Sequence, residues 1–122
     1  MANPLNNYAW KKRPIIVFAP SEDDKFLLKQ RANLWPHLEA LEERDIVIIE
    51  IRRGTVHFVL GESVTLRAGE LRRHVALMEN RFGIVLIGKD TSVKLRRAKP
   101  VTARALFDLI DSMPMRQQEM AN

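Results

Sequence analysis

Three runs constrain this chain more than any other feature: PIIVFA from Pro14 to Ala19, DIVIIEI from Asp45 to Ile51, and GIVLIG from Gly83 to Gly88. Each is short and rich in β-branched side chains, so each reads as a strand. Their apolar centres are nearly continuous rather than alternating, which calls for burial on both faces. A sheet built from such strands needs a helical layer on each side, and the intervening segments supply the helices.

The first strand is expected at 14–19. Ser21-Glu22-Asp23-Asp24 follows it and has the layout of a capping box, with Asp24 in place of the usual Glu or Gln. In that reading the Ser21 hydroxyl accepts a first-turn N–H, and the three acids complement the helix dipole. Leu27, Leu34, Leu38 and Leu41 form one stripe, widened by Leu28 and Trp35, and Pro36 interrupts the hydrogen-bond ladder without changing its phase. The expectation is one kinked helix, or two nearly collinear ones, over about 22–44.

After the second strand, Arg53-Gly54 is a turn and Thr55 to Leu60 is its hairpin partner. Val56, Phe58 and Leu60 are expected on one face, with Thr55, His57 and Val59 on the other. Ala68 to Arg81 reads as a helix with Leu71, Val75 and Met78 on one side, stopped by Gly83. Lys89 to Ser92 turns the third run into a short return strand, Val93 to Arg97. Thr102 is a plausible cap for a last helix over 103–112, which Pro114 ends. Residues 1–13 read as an irregular arm packed down by Tyr8 and Trp10. The tail 114–122 reads as frayed or irregular. With no repeat, low-complexity tract or long linker, the 122 residues are expected to form one domain. The order is βαβ, a β-hairpin and a closing helix, an α/β sandwich with a mixed central sheet.

The composition removes several functions. There is no cysteine, which excludes disulfides, thiolate nucleophiles, redox pairs and Cys-ligated zinc. No run approaches the ~20 apolar residues of a membrane span, and no signal peptide is visible at the start. The net charge of +5 is uneven: residues 1–50 hold 7 Lys/Arg against 8 Asp/Glu, and residues 51–122 hold 13 against 7. Lys94, Arg96, Arg97, Lys99 and Arg104 make the strongest basic patch. It has no interleaved aromatics, so nucleic acid is not favoured, and its charges suit an edge strand that must resist pairing. The three histidines lack ligand spacing and the adjacent acids Asp23 and Asp24 diverge on a helix, so no metal or other cofactor is expected. No GxSxG elbow, P-loop or dinucleotide fingerprint occurs.

The order of elements resembles the thioredoxin fold. IIVFAPSEDDKF, DIVIIEI, RFGIVLIGKDTSVKL and VTARALFDLID carry the resemblance, above all a strand, a Lys-Asp turn and a return strand before a final helix. More closely, WKKRPIIVFAPS, LEERDIVIIEI, GIVLIGKDTSVKLR and LFDLIDSMPM resemble the domain of unknown function 4174, the peroxiredoxin-like family called DUDES. The resemblance covers Trp10 to Met115. It implies a thioredoxin-like three-layer sandwich, and it allows a secreted or periplasmic mature form. In a peroxiredoxin-like frame Pro20 matches, Asp24 stands where a threonine helps hold peroxide, and Leu27 stands where the peroxidatic cysteine belongs. Arg81-Phe82-Gly83 replaces the thioredoxin cis-proline segment, and Arg81 is a possible counterpart of the peroxiredoxin arginine.

Three functions follow as expectations. The first is a non-catalytic binding or scaffold module for protein or peptide, using Pro20, Ser21, Asp24, Lys25 and Arg81; a homo-oligomer is compatible with it. The second is an oxidoreductase-related enzyme using non-thiol groups at the same junction, although no complete acid–base or nucleophilic set is visible and no catalytic residue is assigned. The third is an anion or nucleic-acid binder using the basic second half.

Overall fold

The computed structural model describes residues 3–75 and 80–121. Five strands form one sheet in the order β3-β2-β1-β4-β5, with β1 at Arg13–Ala19, β2 at Ile46–Arg52, β3 at Thr55–Leu60, β4 at Gly83–Ile87 and β5 at Val93–Arg97. β1 runs parallel to β2, and every other pairing is antiparallel. This is the mixed sheet that the three apolar runs require. All seven residues of β1 are buried.

Alternate side chains of the central strands feed two cores. Ile15, Val17, Ile46, Ile48, Ile84 and Leu86 face one layer, made by α1 (Lys25–Leu34), α2 (Leu38–Glu43) and α4 (Ala103–Asp111) through Leu27, Leu34, Leu41, Leu106 and Ile110. Ile16, Phe18, Val47, Ile49, Ile51, Val85 and Ile87 face the other, made by α3 (Ala68–Val75) and the N-terminal arm through Leu71, Val75, Leu5 and Tyr8. Each fully buried side chain of this size contributes about 1.5–3 kcal/mol. Among the described residues no helix is long and apolar enough to cross a membrane.

Several sequence expectations change. Pro36 does break the long helix, through a 3-10 turn at Trp35–His37. Leu28 and Trp35 do not join the core. They are 48% and 47% exposed, because Leu27, Gln30 and Leu34 make up the buried stripe of α1. Trp10 is 66% exposed, and the arm is pinned by Leu5 and Tyr8 instead. A bulge between Ile48 and Ile49 shifts the β2–β3 register, so Leu60 joins Val59 on the α1 face rather than Phe58 on the other. Asn80, at φ 59, takes the left-handed position before β4, and Gly83 is the first residue of that strand rather than a helix stop. The expected helical residues 76–79, Met78 among them, lie outside the described residues.

The largest difference is the tail. Residues Pro114–Ala121 form a fifth helix, α5. It docks by charge. Arg13, 1% exposed, donates from Nη1 and Nη2 to both carboxylate oxygens of Glu119, at 3.1 and 3.0 Å. Lys89 donates to Glu119 at 2.8 Å and to Asp45 at 2.7 Å. Arg116 donates to Glu43 and to Asp111, and Arg44 donates to both oxygens of Asp111. A helix with such a weak apolar stripe leaves no periodic signal, which is why the sequence reads as a frayed end.

Burial pushes the Glu119 carboxyl up, but the hydrogen bonds and charges of Arg13 and Lys89 outweigh it and hold its pKa below the ordinary glutamate value. The hydrogen bond from Arg44 does the same for Asp111, with Arg116 assisting against a smaller opposing effect of burial. Both groups are depressed in the folded state, so the unfolded chain takes up protons first as the pH falls. Their contribution is therefore complete above about pH 5 and is lost as the pH falls through the lowered folded values. Glu119→Gln leaves Arg13 without its counter-charge and is expected to cost about 3 kcal/mol in urea denaturation at neutral pH. The variant should also show a shallower loss of stability below pH 5 than the wild type. Equal acid dependence in the two proteins would contradict the assigned role of Glu119.

Candidate functional site

In open α/β sheets ligands bind beyond the carboxyl ends of the strands, where the chain order reverses. Here that point is the end of β1, since β2 and β4 flank it on opposite sides. The strand stops at Ala19, and Pro20 leads into the junction before α1.

Among the described residues two clefts flank this junction. The first, of about 360 Å³, lies on the α3 side and is lined by Pro20, Arg53, Gly54, Ala68, Gly69, Arg72 and Asn80. The second, of about 690 Å³, lies on the α1 side and is lined by Ser21, Glu22, Asp23, Arg52, Arg53, Thr55 and His57. Arg53 belongs to both. It sits in the β2–β3 turn at φ 52, followed by Gly54 at φ 83. Two successive left-handed residues turn the hairpin tightly, and glycine supplies the second of them without steric cost.

The described linings of the clefts differ in charge. Among the described residues of the first there is no carboxylate, whereas Arg53 and Arg72 both line it; the Arg72 guanidinium also lies 4.8 Å over the Phe18 ring. The second is mixed. Next to it lies a buried carboxylate, Glu50, 3% exposed, which accepts from Arg31 at 2.7 and 2.9 Å. Arg52 Nε stands 3.5 Å from Glu50 without hydrogen-bond alignment, and Arg52 Nη1 is 3.3 Å from Glu22. The hydrogen bonding of Arg31 to Glu50 raises the Arg31 pKa further, against the opposing effect of burial and with help from the charges of Glu50 and Glu22. His57 is the register partner of Glu50 across β2 and β3.

The residues anticipated from sequence fall into separate places. Pro20 and Ser21 line one cleft each. Asp24, not Ser21, caps α1: its carboxylate accepts the Leu27 N–H at 3.0 Å, and the helix begins at Lys25 rather than at 22. Ser21 Oγ instead donates to Asp23 Oδ1 at 2.8 Å. The carboxylate is the stronger acceptor at the positive end of a helix, which is why it takes this role over the hydroxyl. Lys25 and Arg81 are exposed, and Asn80, the neighbour of Arg81, is the residue that reaches the first cleft. Phe82 packs edge-on against Phe26 at 5.6 Å, joining this loop to the first turn of α1.

The basic residues Lys94, Arg96, Arg97, Lys99 and Arg104 are all exposed, and β5 is an edge strand. Lys94 pairs with Asp90 at 3.2 Å, and Arg104 stands 3.6 Å from Asp108. Among the described residues no group of three or more His, Asp or Glu side chains is placed to hold a metal.

Arg53, Arg72 and the Glu50–Arg31 pair escaped the sequence reading. The Arg53-Gly54 dipeptide was readable only as a turn. A cation in a turn beyond the carboxyl end of a strand was the available signal.

Solved structures confirm the class. The chain is similar to a reduced 2-Cys peroxiredoxin of Plasmodium vivax, with a TM-score of 0.64 at 13% identity over 93% of this chain and 72% of that one. It is also similar to thioredoxin peroxidase I of Plasmodium yoelii, with a TM-score of 0.62 at 15% identity over 93% and 79%. At such identities the likeness shows the fold: this is a thioredoxin-like α/β domain with no cysteine. The family model Domain of unknown function (DUF4174) matches residues 4–119, and the chain belongs to that family. Among curated relatives, Sushi repeat-containing protein SRPX2 of Rattus norvegicus is 31% identical over 98% of this chain, and Coiled-coil domain-containing protein 80 of Danio rerio is 26% identical over 99%. The chain spans 27% and 16% of the length of these two relatives.

The two candidate caps are separable by mutation. Asp24→Ala is expected to cost about 1 kcal/mol in chemical denaturation, and Ser21→Ala no more than about 0.5 kcal/mol. The reverse order would return the cap to Ser21.

Proposed function

We propose that the chain is a non-catalytic binding module whose ligand site is the carboxyl end of the sheet. The site comprises the Pro20–Lys25 junction, the Arg53–Gly54 turn and the loop carrying Arg81, and its ligand is an extended, acidic peptide segment. One observation carries this reading: the first cleft opens at the strand–helix junction with Arg53 and Arg72 in its wall and no carboxylate among its described lining residues. Arginine suits carboxylate recognition because its planar fork donates two parallel hydrogen bonds. The acids of the junction support binding over catalysis. Asp24 is engaged as a cap and Asp23 accepts from Ser21, so neither is poised as a free base. The similarity to a minor part of longer relatives supports the reading as a module.

A second reading, anion or nucleic-acid binding along β5, rests on the row of exposed cations at that edge. One titration separates the two. With ¹⁵N-labelled protein and a hexaglutamate probe, chemical shifts are expected to move at Ser21, Arg53, Gly54 and Gly69. Arg53→Ala should weaken binding about tenfold, the loss of one charge-assisted contact. Shifts confined to Lys94–Arg97, with a steep salt dependence, would sink the first reading in favour of the second. Shifts at neither place would sink both.

A further inference from the structure

The opposite end of the sheet contains a pocket that is already filled. Arg13 opens β1 and is buried at 1% exposure, and its Nη1 is anchored by the Arg44 carbonyl at 2.9 Å. Lys89, 9% exposed in the turn between β4 and β5, is anchored by Asp45 at 2.7 Å. Both cations thus have fixed positions on the sheet framework. Their shared partner, Glu119, comes from α5. The guanidinium holds both carboxylate oxygens and the ammonium adds a third bond to one of them, the geometry of a carboxylate receptor.

The helix that brings Glu119 is held lightly. Among the described residues of α5 only Arg116 is buried, while Met115 and Met120 are 38% and 49% exposed. Ser112 and Met113 alone join α5 to α4. The Arg116 partners Glu43 and Asp111 have side chains 61% and 32% exposed, so salt screens those pairs in part even though Arg116 itself is buried. Apolar burial, which salt does not screen, contributes little here.

We propose that Arg13 and Lys89 form a carboxylate-binding pocket that α5 closes as a latch, with Glu119 as its occupant in cis and an acidic peptide segment of a partner as its occupant when α5 swings out. An empty pocket would leave the Arg13 fork without an anion, so exchange of one carboxylate for another is favoured over vacancy. The donor geometry selects the ligand. The parallel Nη1 and Nη2 of Arg13 take the two oxygens of one carboxylate, and Lys89 adds a bond to one of them. Lys12, 4.0 Å from Asp45, and Arg116, 3.8 Å from Glu119, complete the rim. This pocket is independent of the clefts at the carboxyl end, so either assignment can fail alone.

The test is chemical rescue in the full chain. Glu119→Ala vacates the pocket, and thermal melting is then compared in chloride, acetate and phosphate at matched ionic strength. Acetate is expected to raise the melting temperature of Glu119→Ala by a few degrees and to leave the wild type unmoved. Adding Lys89→Met should abolish the gain. An acetate effect no larger than that of chloride would overturn the pocket, and rescue by phosphate but not acetate would overturn its assignment to carboxylates. If Glu119→Ala does not fold, Glu119→Ser, whose short side chain also vacates the pocket, is melted in the same three salts and read in the same way. The latch has its own readout in wild-type hydrogen exchange. Amides of α5 are expected to exchange well ahead of those of β1, and faster when NaCl is raised from about 0.05 to about 0.5 M. Exchange of α5 only together with β1 would overturn the latch.

Discussion

Everything polar in this protein is arranged around one constraint: β1 is buried along its whole length, on both faces and at both edges. It sits at the centre of the sheet, parallel to β2 and antiparallel to β4, with helices above and below. Such a strand leaves charged groups only its two ends. At one end stands Arg13, and at the other the Pro20 junction. The hydrophobic effect that fixes the strand thus decides where the electrostatics can operate.

The two ends solve the same problem differently. At the amino end a buried guanidinium is unavoidable, because Arg13 starts the strand under the tail of the chain. A bidentate glutamate and a neighbouring lysine–aspartate pair neutralise it. A pair of that kind contributes less net stability than its short distances suggest, since desolvation offsets much of the attraction. Its stronger consequence is positional, for it fixes where α5 lies. At the carboxyl end the charges are spread over two clefts. Arg53 stands between them, and among the described residues the α1 side has a buried carboxylate, Glu50, in the balance.

How much of this was legible in the sequence depended on the physical signal each part leaves. The sheet was readable, because Ile46 to Ile49 and Ile84 to Ile87 must be buried on both faces wherever they pair. α4 was readable from Thr102, Leu106 and Ile110, a cap followed by helical spacing. α5 was not, because charged side chains at irregular spacing look the same whether they are solvated or paired. The face of Leu60 was lost to a bulge, which no alternation pattern announces. At the site the junction itself was legible, as a strand running into Pro20. The arginines that give it character were not, since Arg53 and Arg72 lie 33 and 52 residues beyond Pro20 in sequence and meet it only through the sheet.

The junction also shows what a helix amino terminus does when no thiolate is present. The positive end of a helix favours an anion whatever its source. In this chain Asp24 supplies that anion from within the backbone path, as the cap of α1, and accepts the Leu27 N–H. A carboxylate fixed there satisfies the local field and lowers the attraction for any further anion at the same spot. An incoming acidic group must therefore find its positive charge elsewhere. Two cations that line the first cleft with Pro20 are Arg53 in the β2–β3 turn and Arg72 on α3. The absence of cysteine and the presence of Asp24 thus act together. In the proposed reading they place the receptive surface in the adjoining arginine cleft rather than at the helix end, while the strand–helix geometry that frames it stays that of the fold.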